Sequence, residues 1–190
     1  MSERKPPLVD ASGETELEGF FVTAEEQGVS SLAYVADAFR NASVGAVAEL
    51  LAFWVGDEEY AVDILEIQEI IKVPIITDVP RTGRKVLGII SLRGVIVPVL
   101  DLRRALSLGE APVARTSRIL VLRADGDPIG VLVDRVTSVV RLEREAIEPM
   151  PRSMARESSE LLRGVGRIGD RLLIVLEHTA IVALMEGILE

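Results

Sequence analysis

The sequence predicts an all-β fold with short helices, built as two similar small β-barrels that follow an N-terminal extension. Three observations support this fold class: the apolar runs are strand-sized, turn sequences separate them, and the whole pattern occurs twice along the chain. At 190 residues the chain has the size of one domain or of two small packed ones.

The beginning of the chain differs in composition from the rest. Residues 1–48 hold eight acidic and three basic residues, and all aromatic residues lie at or before Tyr60. We therefore divide the chain into an acidic extension, 1–47, and a folded body, 48–190. The core of the body beyond Tyr60 must then be built from aliphatic side chains alone.

The extension contains one helical pattern. Thr23–Glu26 has the spacing of a capping box, and Leu32, Val35 and Phe39 fall on one face of a helix. This pattern predicts a partly disordered leader with one short helix. The alternative is that these apolar residues dock a partner.

Three segments of the body have the pattern of β-hairpins, in which two apolar runs are joined by a turn rich in glycine and acidic residues. They cover 50–64, 119–133 and 164–176. Pro98 interrupts another apolar run, and this predicts an edge strand or a bulge because proline cannot donate a hydrogen bond to a neighbouring strand.

The body contains an internal repeat. At an offset of 69 residues Leu51 falls on Leu120, and after an insertion the offset becomes 76, where Gly88 falls on Gly164. We interpret the repeat as two copies of a barrel unit, because closed barrels leave no open edges on short strands.

Each copy ends in a short helical pattern. These patterns cover 102–108 and 178–186, and each is followed by a glycine, Gly109 or Gly187, of the kind that ends helices. Each barrel is therefore expected to close with one or two helical turns.

The repeat also provides an internal control, because chemistry that differs between the copies is not required by the shared scaffold. Arg93 corresponds to Gly169, and Glu69 corresponds to Ser138. Arg93 lies in a turn between two apolar runs, so we expect it at the surface. It is either a solvated turn residue or a contact for a partner.

The surroundings of Arg93 favour a protein partner. Residues 81–104 carry six basic residues and one acidic residue, a net charge of +5 within a chain of net charge −9. A basic region on an acidic protein is better suited to an acidic protein surface than to nucleic acid.

The composition argues against catalysis and metal binding. The chain has no cysteine and a single histidine, His178, expected to be a polar residue at the start of the last helix. GVGRIG (164–169) fits a dinucleotide fingerprint, but a strand pattern follows where that motif needs a helix. Its glycines are expected to serve a tight hairpin and close packing. We predict no enzyme activity, no metal and no cofactor.

Membrane insertion and nucleic-acid binding are also disfavoured. No apolar run approaches the roughly 18 residues of a membrane-spanning helix. The body beyond Tyr60 has no aromatic residue on which bases could stack. We expect a cytoplasmic protein.

Four segments resemble the signature blocks of the CheW family, whose members link chemoreceptors to the histidine kinase CheA. These segments are GDEEYAVDILEIQEI (56–70), GIISLRGVIVPVLDLR (88–103), PIGVLVDRV (128–136) and GVGRIGDRLLIVLE (164–177). The resemblance runs in order over about 48–186. It implies two similar, SH3-like, five-stranded β-barrels packed together, in agreement with the repeat.

The resemblance implies a receptor-binding site. In the family the receptor tip lies in the groove between the barrels, near the Arg of an Asn-Leu-Arg-Gly turn and a Val-x-Glu motif. The matching positions are Arg93, Ile67 and Glu69, with Ser91 where the family usually has Asn. Six glycines are predicted to be structural turn residues: Gly88, Gly94, Gly130, Gly164, Gly166 and Gly169.

The resemblance implies a non-enzymatic adaptor that couples chemoreceptors to a CheA-type kinase in cytoplasmic arrays. Its partners are the receptor signalling domain and the regulatory domain of the kinase. The alternative is a CheW-like paralogue that binds only one of these partners and recruits another protein through residues 1–47.

Overall fold

The computed structural model describes residues 15–16, 47–150 and 158–189, and these residues form eleven β-strands and two α-helices. The strands are β1 (Thr15–Glu16), β2 (Val47–Val55), β3 (Glu58–Asp63), β4 (Ile67–Lys72), β5 (Val86–Leu92), β6 (Val95–Asp101), β7 (Arg118–Leu122), β8 (Ile129–Val133), β9 (Arg135–Glu143), β10 (Leu162–Ile168) and β11 (Arg171–Leu176). The helices are α1 (Leu102–Ala105) and α2 (His178–Leu189).

The strands form two sheets. Sheet I has the order β1-β9-β2-β3-β11-β10, and sheet II has the order β4-β7-β8-β6-β5. Apart from the two-residue β1, each sheet has five strands, and each contains one parallel pair, β3–β11 or β6–β8. The predicted fold class, mostly β with two five-stranded units and short helices, is confirmed.

The two sheets have the same arrangement because the repeat supplies the same strands to each. Ile67 on β4 lies opposite Leu122, and Val136 on β9 lies opposite Phe53, so both pairs are related by the predicted offset of 69. A register shift follows at the same place in each ladder. The register thus agrees with the alignment of the two copies.

The copies do not form one sheet each, contrary to the prediction from the repeat. β2 and β3 of the first copy join β9, β10 and β11 of the second copy in sheet I. β7 and β8 of the second copy join β4, β5 and β6 in sheet II. A sequence repeat identifies equivalent strands, but it cannot tell which copy supplies their neighbours. The chain crosses between sheets after each initial hairpin.

A pair of backbone hydrogen bonds joins the outer strands of each sheet. In sheet II, Thr77 exchanges hydrogen bonds of 2.9 and 2.8 Å with Ile89 of β5. In sheet I, Glu148 exchanges hydrogen bonds of 2.9 and 2.7 Å with Val165 of β10. Because Thr77 follows β4 and Glu148 follows β9, each sheet curls back on itself as a barrel does.

The core has three parts. One cluster combines residues of both sheets and includes Leu51 and Phe53 of sheet I with Leu120 and Leu122 of sheet II. The other two clusters each belong to a single sheet. Burial of each such leucine or phenylalanine stabilises the fold by about 1.5–3 kcal/mol, so the shared cluster holds the two sheets firmly together.

Three details differ from the sequence predictions, and a further prediction lies outside the described residues. β6, which contains Pro98, is an interior strand, and its ladder with β8 begins at Val99, beyond the proline. Gly187 lies inside α2 and does not end it. α1 ends at Ala105, so it is shorter than the predicted 102–108 and Gly109 does not end it. The pattern at Leu32, Val35 and Phe39 lies outside the described residues, and the described part of the extension is the strand β1.

Candidate functional site

Arg93 stands at the tip of the β5–β6 hairpin in a left-handed backbone conformation. Its φ is 52°, and that of the following Gly94 is 87°. Gly169, the matching residue in the β10–β11 hairpin, has a φ of 55°. The turn therefore requires a left-handed backbone conformation at this position in both sheets. A residue with a side chain in that conformation costs about 1 kcal/mol relative to glycine.

The Arg93 side chain is anchored on Glu69 of β4. Its Nη2 donates a hydrogen bond of 3.0 Å to Oε2 of the glutamate. The glutamate side chain is 7% exposed, whereas the arginine side chain is 67% exposed. A buried carboxylate requires a partner, so Glu69 holds the guanidinium in place while most of the arginine faces solvent.

Ile67, the third residue carried over from the family, is only 4% exposed and belongs to the core cluster shared by the two sheets. The structure thus brings Glu69 and Arg93 together but places Ile67 in the core. Two exposed aliphatic residues that the sequence analysis missed, Val95 and Ile96, follow directly after the hairpin tip. The sequence contains a signal for these two residues, because both are apolar and stand directly after a turn, at the start of a strand.

Arg103, in the basic region, faces an acidic side chain. It donates hydrogen bonds of 3.1 and 3.0 Å from Nε to the carboxylate of Asp134 and adds an ion pair through Nη2. Asp134 also accepts a hydrogen bond of 2.7 Å from the backbone N–H of Gly56. The same carboxylate thus links α1, the β2–β3 turn and the segment between β8 and β9.

Arg104 is also paired, with Asp101 at 3.1 Å and Glu110 at 3.5 Å. Arg81 and Arg84, by contrast, are exposed and have no acidic partner among the described residues. Three of the six basic residues of this region, Arg93, Arg103 and Arg104, are therefore paired with acidic side chains. Arg93 differs from Arg171 of sheet I, which also pairs with a buried glutamate, in its left-handed backbone and in its larger side-chain exposure, 67% against 41%.

Asp101 precedes α1 and accepts a 3.3 Å hydrogen bond from the backbone N–H of Arg104. Burial raises the pKa of Asp101 above its ordinary value, and the hydrogen bond and positive charge of Arg104 only partly oppose this. Asp101 therefore contributes more to positioning the end of β6 than to a surface charge.

The equivalent site in sheet I lacks this chemistry. Ser138 occupies the position of Glu69, is buried, and its hydroxyl has no hydrogen-bond partner among the described residues. The β10–β11 hairpin instead pairs Arg171 with Glu59 of β3 at 2.6 Å. Among the described residues, only sheet II has an ion pair between the tip of this hairpin and the strand β4 or its equivalent, β9.

The six glycines predicted as turn residues fall into two groups. Gly94 and Gly169 lie in hairpin turns, where a positive φ favours glycine. The other four lie inside strands and not in turns: Gly88, Gly130, Gly164 and Gly166. These four allow close approach; a Cβ on Gly88 or Gly164 would lie 2.3 Å from a carbonyl oxygen of the bridging segment.

His178 begins α2, as the sequence predicts. Its Nε2 lies 2.5 Å from the carbonyl oxygen of Arg123, and its Nδ1 lies 3.4 Å from Glu66. These contacts join the last helix to the β7–β8 hairpin and to the residue before β4. The histidine thus packs as a structural residue.

The geometry defines a class of protein. Among the residues that the structure describes, no cluster of histidine and acidic side chains is arranged to hold a metal ion. No helix in the described ranges is long and apolar enough to cross a membrane. The distinctive feature is an exposed arginine, anchored on a buried glutamate beside exposed aliphatic residues, on a rigid β-scaffold. Such a surface is typical of an adaptor that binds other proteins.

Comparison with known proteins identifies the family. The model of the CheW-like domain matches residues 49–186. The chemotaxis protein CheW of Helicobacter pylori is 36% identical over 130 residues, covering 68% of this chain and 78% of that protein. Protein FrzA of Myxococcus xanthus is 32% identical over 128 residues, covering 67% and 80%.

A solved structure agrees with these relatives. The scaffolding protein TtCheW from Thermoanaerobacter tengcongensis superimposes with a TM-score of 0.65 at 30% identity, covering 70% of this chain and 91% of that one. The chain belongs to the CheW family. It is therefore a scaffold protein of the chemotaxis type and not an enzyme, as the sequence predicts.

Proposed function

We propose that this protein couples the cytoplasmic signalling domain of a chemoreceptor to a CheA-type histidine kinase, and that Arg93 and Glu69 form its receptor contact. The carrying observation is the difference between the two sheets. The scaffold needs only Gly169 and Ser138 at the equivalent positions, whereas sheet II has a strained arginine on a buried glutamate. A costly arrangement that the fold does not require is best explained by binding.

The receptor contact combines charge with apolar area. The exposed guanidinium of Arg93 can pair with a carboxylate of the receptor, because one Arg93 nitrogen is held by Glu69 and the others face solvent. Ile96 is 62% exposed and Val95 is also exposed, so the same hairpin offers apolar surface. In this proposal Ile67 supports β4 from within the core and positions Glu69.

The kinase contact lies elsewhere on the barrels in this proposal, because a scaffold must hold both partners at once. Each contact can be weak while the assembly is tight, since partners held in an array bind at a high effective concentration. We place the protein in the cytoplasm, at receptor arrays, on the basis of its family.

A second candidate function follows from the extension. The family match begins at residue 49, so the acidic residues 1–47 lie outside it. A CheW-like paralogue could bind only the receptor or only the kinase and recruit another protein through this extension. The two functions differ in the number of partners that the body binds.

Titration of the full chain with a purified receptor signalling domain and, separately, with a CheA-type kinase tests the proposal. Binding of both, and formation of a ternary complex, is the expected result. Binding of only one partner would establish the second candidate. If neither binds while the protein is folded, coupling is refuted.

A further inference from the structure

The outer edge of β9 is partly occupied by the extension of the chain itself. β2 covers one side of β9 over its whole length. On the other side, Thr15 lies opposite Val139 and Glu16 lies opposite Ser138, so β1 adds a short antiparallel strand there. An exposed strand edge is a template for an added strand, because its unpaired N–H and C=O groups can bond to any extended segment.

This edge is the structural equivalent of the β4 edge that carries Glu69. In sheet II, the Arg93 side chain reaches across to Glu69 at this position. In sheet I, Gly169 has no side chain and Ser138 replaces the glutamate, so no equivalent ion pair can form. Sheet I therefore has no ion pair equivalent to Arg93–Glu69. β1 lies against β9 at this position, where Glu16 is opposite Ser138.

The sequence around β1 suits an added strand. Residues 14–18 read Glu-Thr-Glu-Leu-Glu, in which acidic residues alternate with threonine and leucine. Alternation with a period of two is typical of a strand with one polar face. No proline, which would remove a backbone donor, lies within this segment.

We propose that the outer edge of β9, at Ser138 and Val139, is a strand-addition site whose ligand is the acidic segment around Thr15–Glu16 of the same chain. The site fixes the extension to sheet I, on the element equivalent to the one that carries the receptor contact in sheet II. Main-chain hydrogen bonds supply the binding, so the ligand class is an extended peptide.

The covalent connection permits this binding within one molecule. Thirty residues, 17–46, connect Glu16 to Val47, which lies opposite Glu143 on the same strand β9. Ser138 and Glu143 are separated by about 17 Å along an antiparallel strand. Thirty residues can span up to roughly 100 Å, so the connection reaches easily. Tethering also gives the segment a high effective concentration, on the millimolar scale, which favours it over a segment from another molecule.

A cross-linking experiment tests the site, and the absence of native cysteine makes it clean. The double variant Glu16→Cys/Ser138→Cys joins directly opposite residues, whose Cα atoms in an antiparallel ladder are about 4.5–5.5 Å apart, within disulfide range. The matched control, Glu16→Cys/Glu69→Cys, offers the equivalent position on sheet II. Mild oxidation of the full chain is followed by mass spectrometry under non-reducing conditions.

We expect an intramolecular disulfide in the first variant, forming at least about tenfold faster than in the control. Equal rates in the two variants, or no disulfide in the first, would overturn the site. Disulfide-linked dimers as the main product would overturn the assignment of the ligand to the same molecule.

Hydrogen exchange of the chain without cysteines gives a second readout that does not depend on cross-linking. Because consecutive residues of a strand direct their N–H groups to opposite sides, one amide of Ser138 or Val139 faces β1. Thr15→Pro/Glu16→Pro should speed exchange at that amide, whereas Ser2→Pro/Glu3→Pro should not. Unchanged exchange in the first variant would also overturn the site. Neither readout involves receptor or kinase, so failure here leaves the proposed coupling function untouched.

Discussion

The two sheets of this protein have the same scaffold but different chemistry at one position. In sheet II the hairpin tip carries Arg93 and the adjacent strand carries Glu69, whereas sheet I has Gly169 and Ser138. Strand order, register shift and backbone conformation of the turn are shared. Comparison of the sheets therefore separates what the fold requires from what has been added to it.

The comparison of the two sheets also identifies which glycines the scaffold requires. Gly88 and Gly164 occupy equivalent places, and each allows a carbonyl oxygen of the bridging segment to approach within 2.3 Å of where a Cβ would lie. A feature present in both sheets is a requirement of the scaffold. The Arg93–Glu69 pair is present in one sheet, and this asymmetry supports a role in binding.

Reversal of charge at Arg93 should have the largest effect. Arg93→Glu places a negative charge beside Glu69 and opposite the proposed acidic receptor partner. Loss of a partly desolvated charge pair costs about 2–5 kcal/mol of binding free energy, and Arg93→Ala should cost less. Isothermal titration with the receptor domain measures this, and kinase affinity should change little. The thermal unfolding temperature should fall, because buried Glu69 loses its partner, but the protein should remain folded.

The matched control is Arg167→Glu, which makes the same charge change at an exposed residue of the β10–β11 hairpin. It should leave receptor affinity unchanged. If Arg93→Glu binds the receptor as well as the parent while remaining folded, Arg93 is only a solvated turn residue and the sheets do not differ in function.

Alanine at the two equivalent glycines should destabilise both sheets, and Gly88→Ala should cost more because the φ of Gly88 is 145°, a conformation that favours glycine. Gly88→Ala and Gly164→Ala each introduce a Cβ against a backbone carbonyl, and overpacking of this kind costs about 1–3 kcal/mol. Gly126→Ala is the control, because nothing lies within 4 Å of its Cβ. Chemical denaturation measures the free energy of unfolding. Unchanged stability in either variant would contradict the close approach of the carbonyl oxygen at that glycine.

Removal of the extension should affect stability less. A chain that begins at Ala46 retains every strand of both sheets except β1, so we expect cooperative unfolding with a loss of less than about 2 kcal/mol. Calorimetry of the truncated and full chains measures the difference. A molten or insoluble truncated protein would show that residues 1–45 complete the core.

Ser138→Ala should raise stability. The hydroxyl of Ser138 is buried without a hydrogen-bond partner among the described residues, and such a group costs about 1–3 kcal/mol. The variant should therefore gain about 1 kcal/mol, because the Cβ packing is kept. Ser91→Ala, at an exposed position of β5, is the control. A loss of stability in Ser138→Ala would reveal an interaction of that hydroxyl.

The smallest effect concerns pH. Burial raises the pKa of Asp101, so the folded state binds a proton more tightly than the unfolded state, whose pKa is near the ordinary value of 3.8. Folding stability should therefore fall as the pH rises from that value through the raised pKa. In the variant Asp101→Asn, folding stability should no longer decrease over this pH range. Denaturant unfolding curves measured between pH 4 and 7 test this expectation. An unchanged pH slope would contradict the shift.

Much of this architecture could be predicted from sequence. The strand-sized apolar runs, the turns and the repeat register at Leu51 and Leu120 predicted two similar β-units, because strand pairing and core packing leave a period and an offset in the residues. The resemblance to the CheW family implied five strands in each unit. The contrast between Arg93 and Gly169 was also visible, since the two copies can be aligned without coordinates.

Three features depended on the tertiary structure. The exchange of hairpins between the copies cannot be read from the sequence. The same apolar faces would be buried whether each initial hairpin, β2–β3 or β7–β8, joined the strands of its own copy or those of the other copy. The interior position of β6 despite Pro98 depends on where its ladder with β8 begins. The burial of Ile67 in the shared core depends on which side of β4 faces that core.

The sequence by itself therefore determined the fold class, the family and the position of the distinctive arginine. Only the tertiary structure decided that Glu69 is buried and anchors Arg93, that Arg103 and Arg104 are paired with acidic side chains, and that β1 pairs with β9. The physical reason is that local patterns fix which residues form strands and turns. Long-range packing fixes which strands are neighbours and therefore which side chains meet.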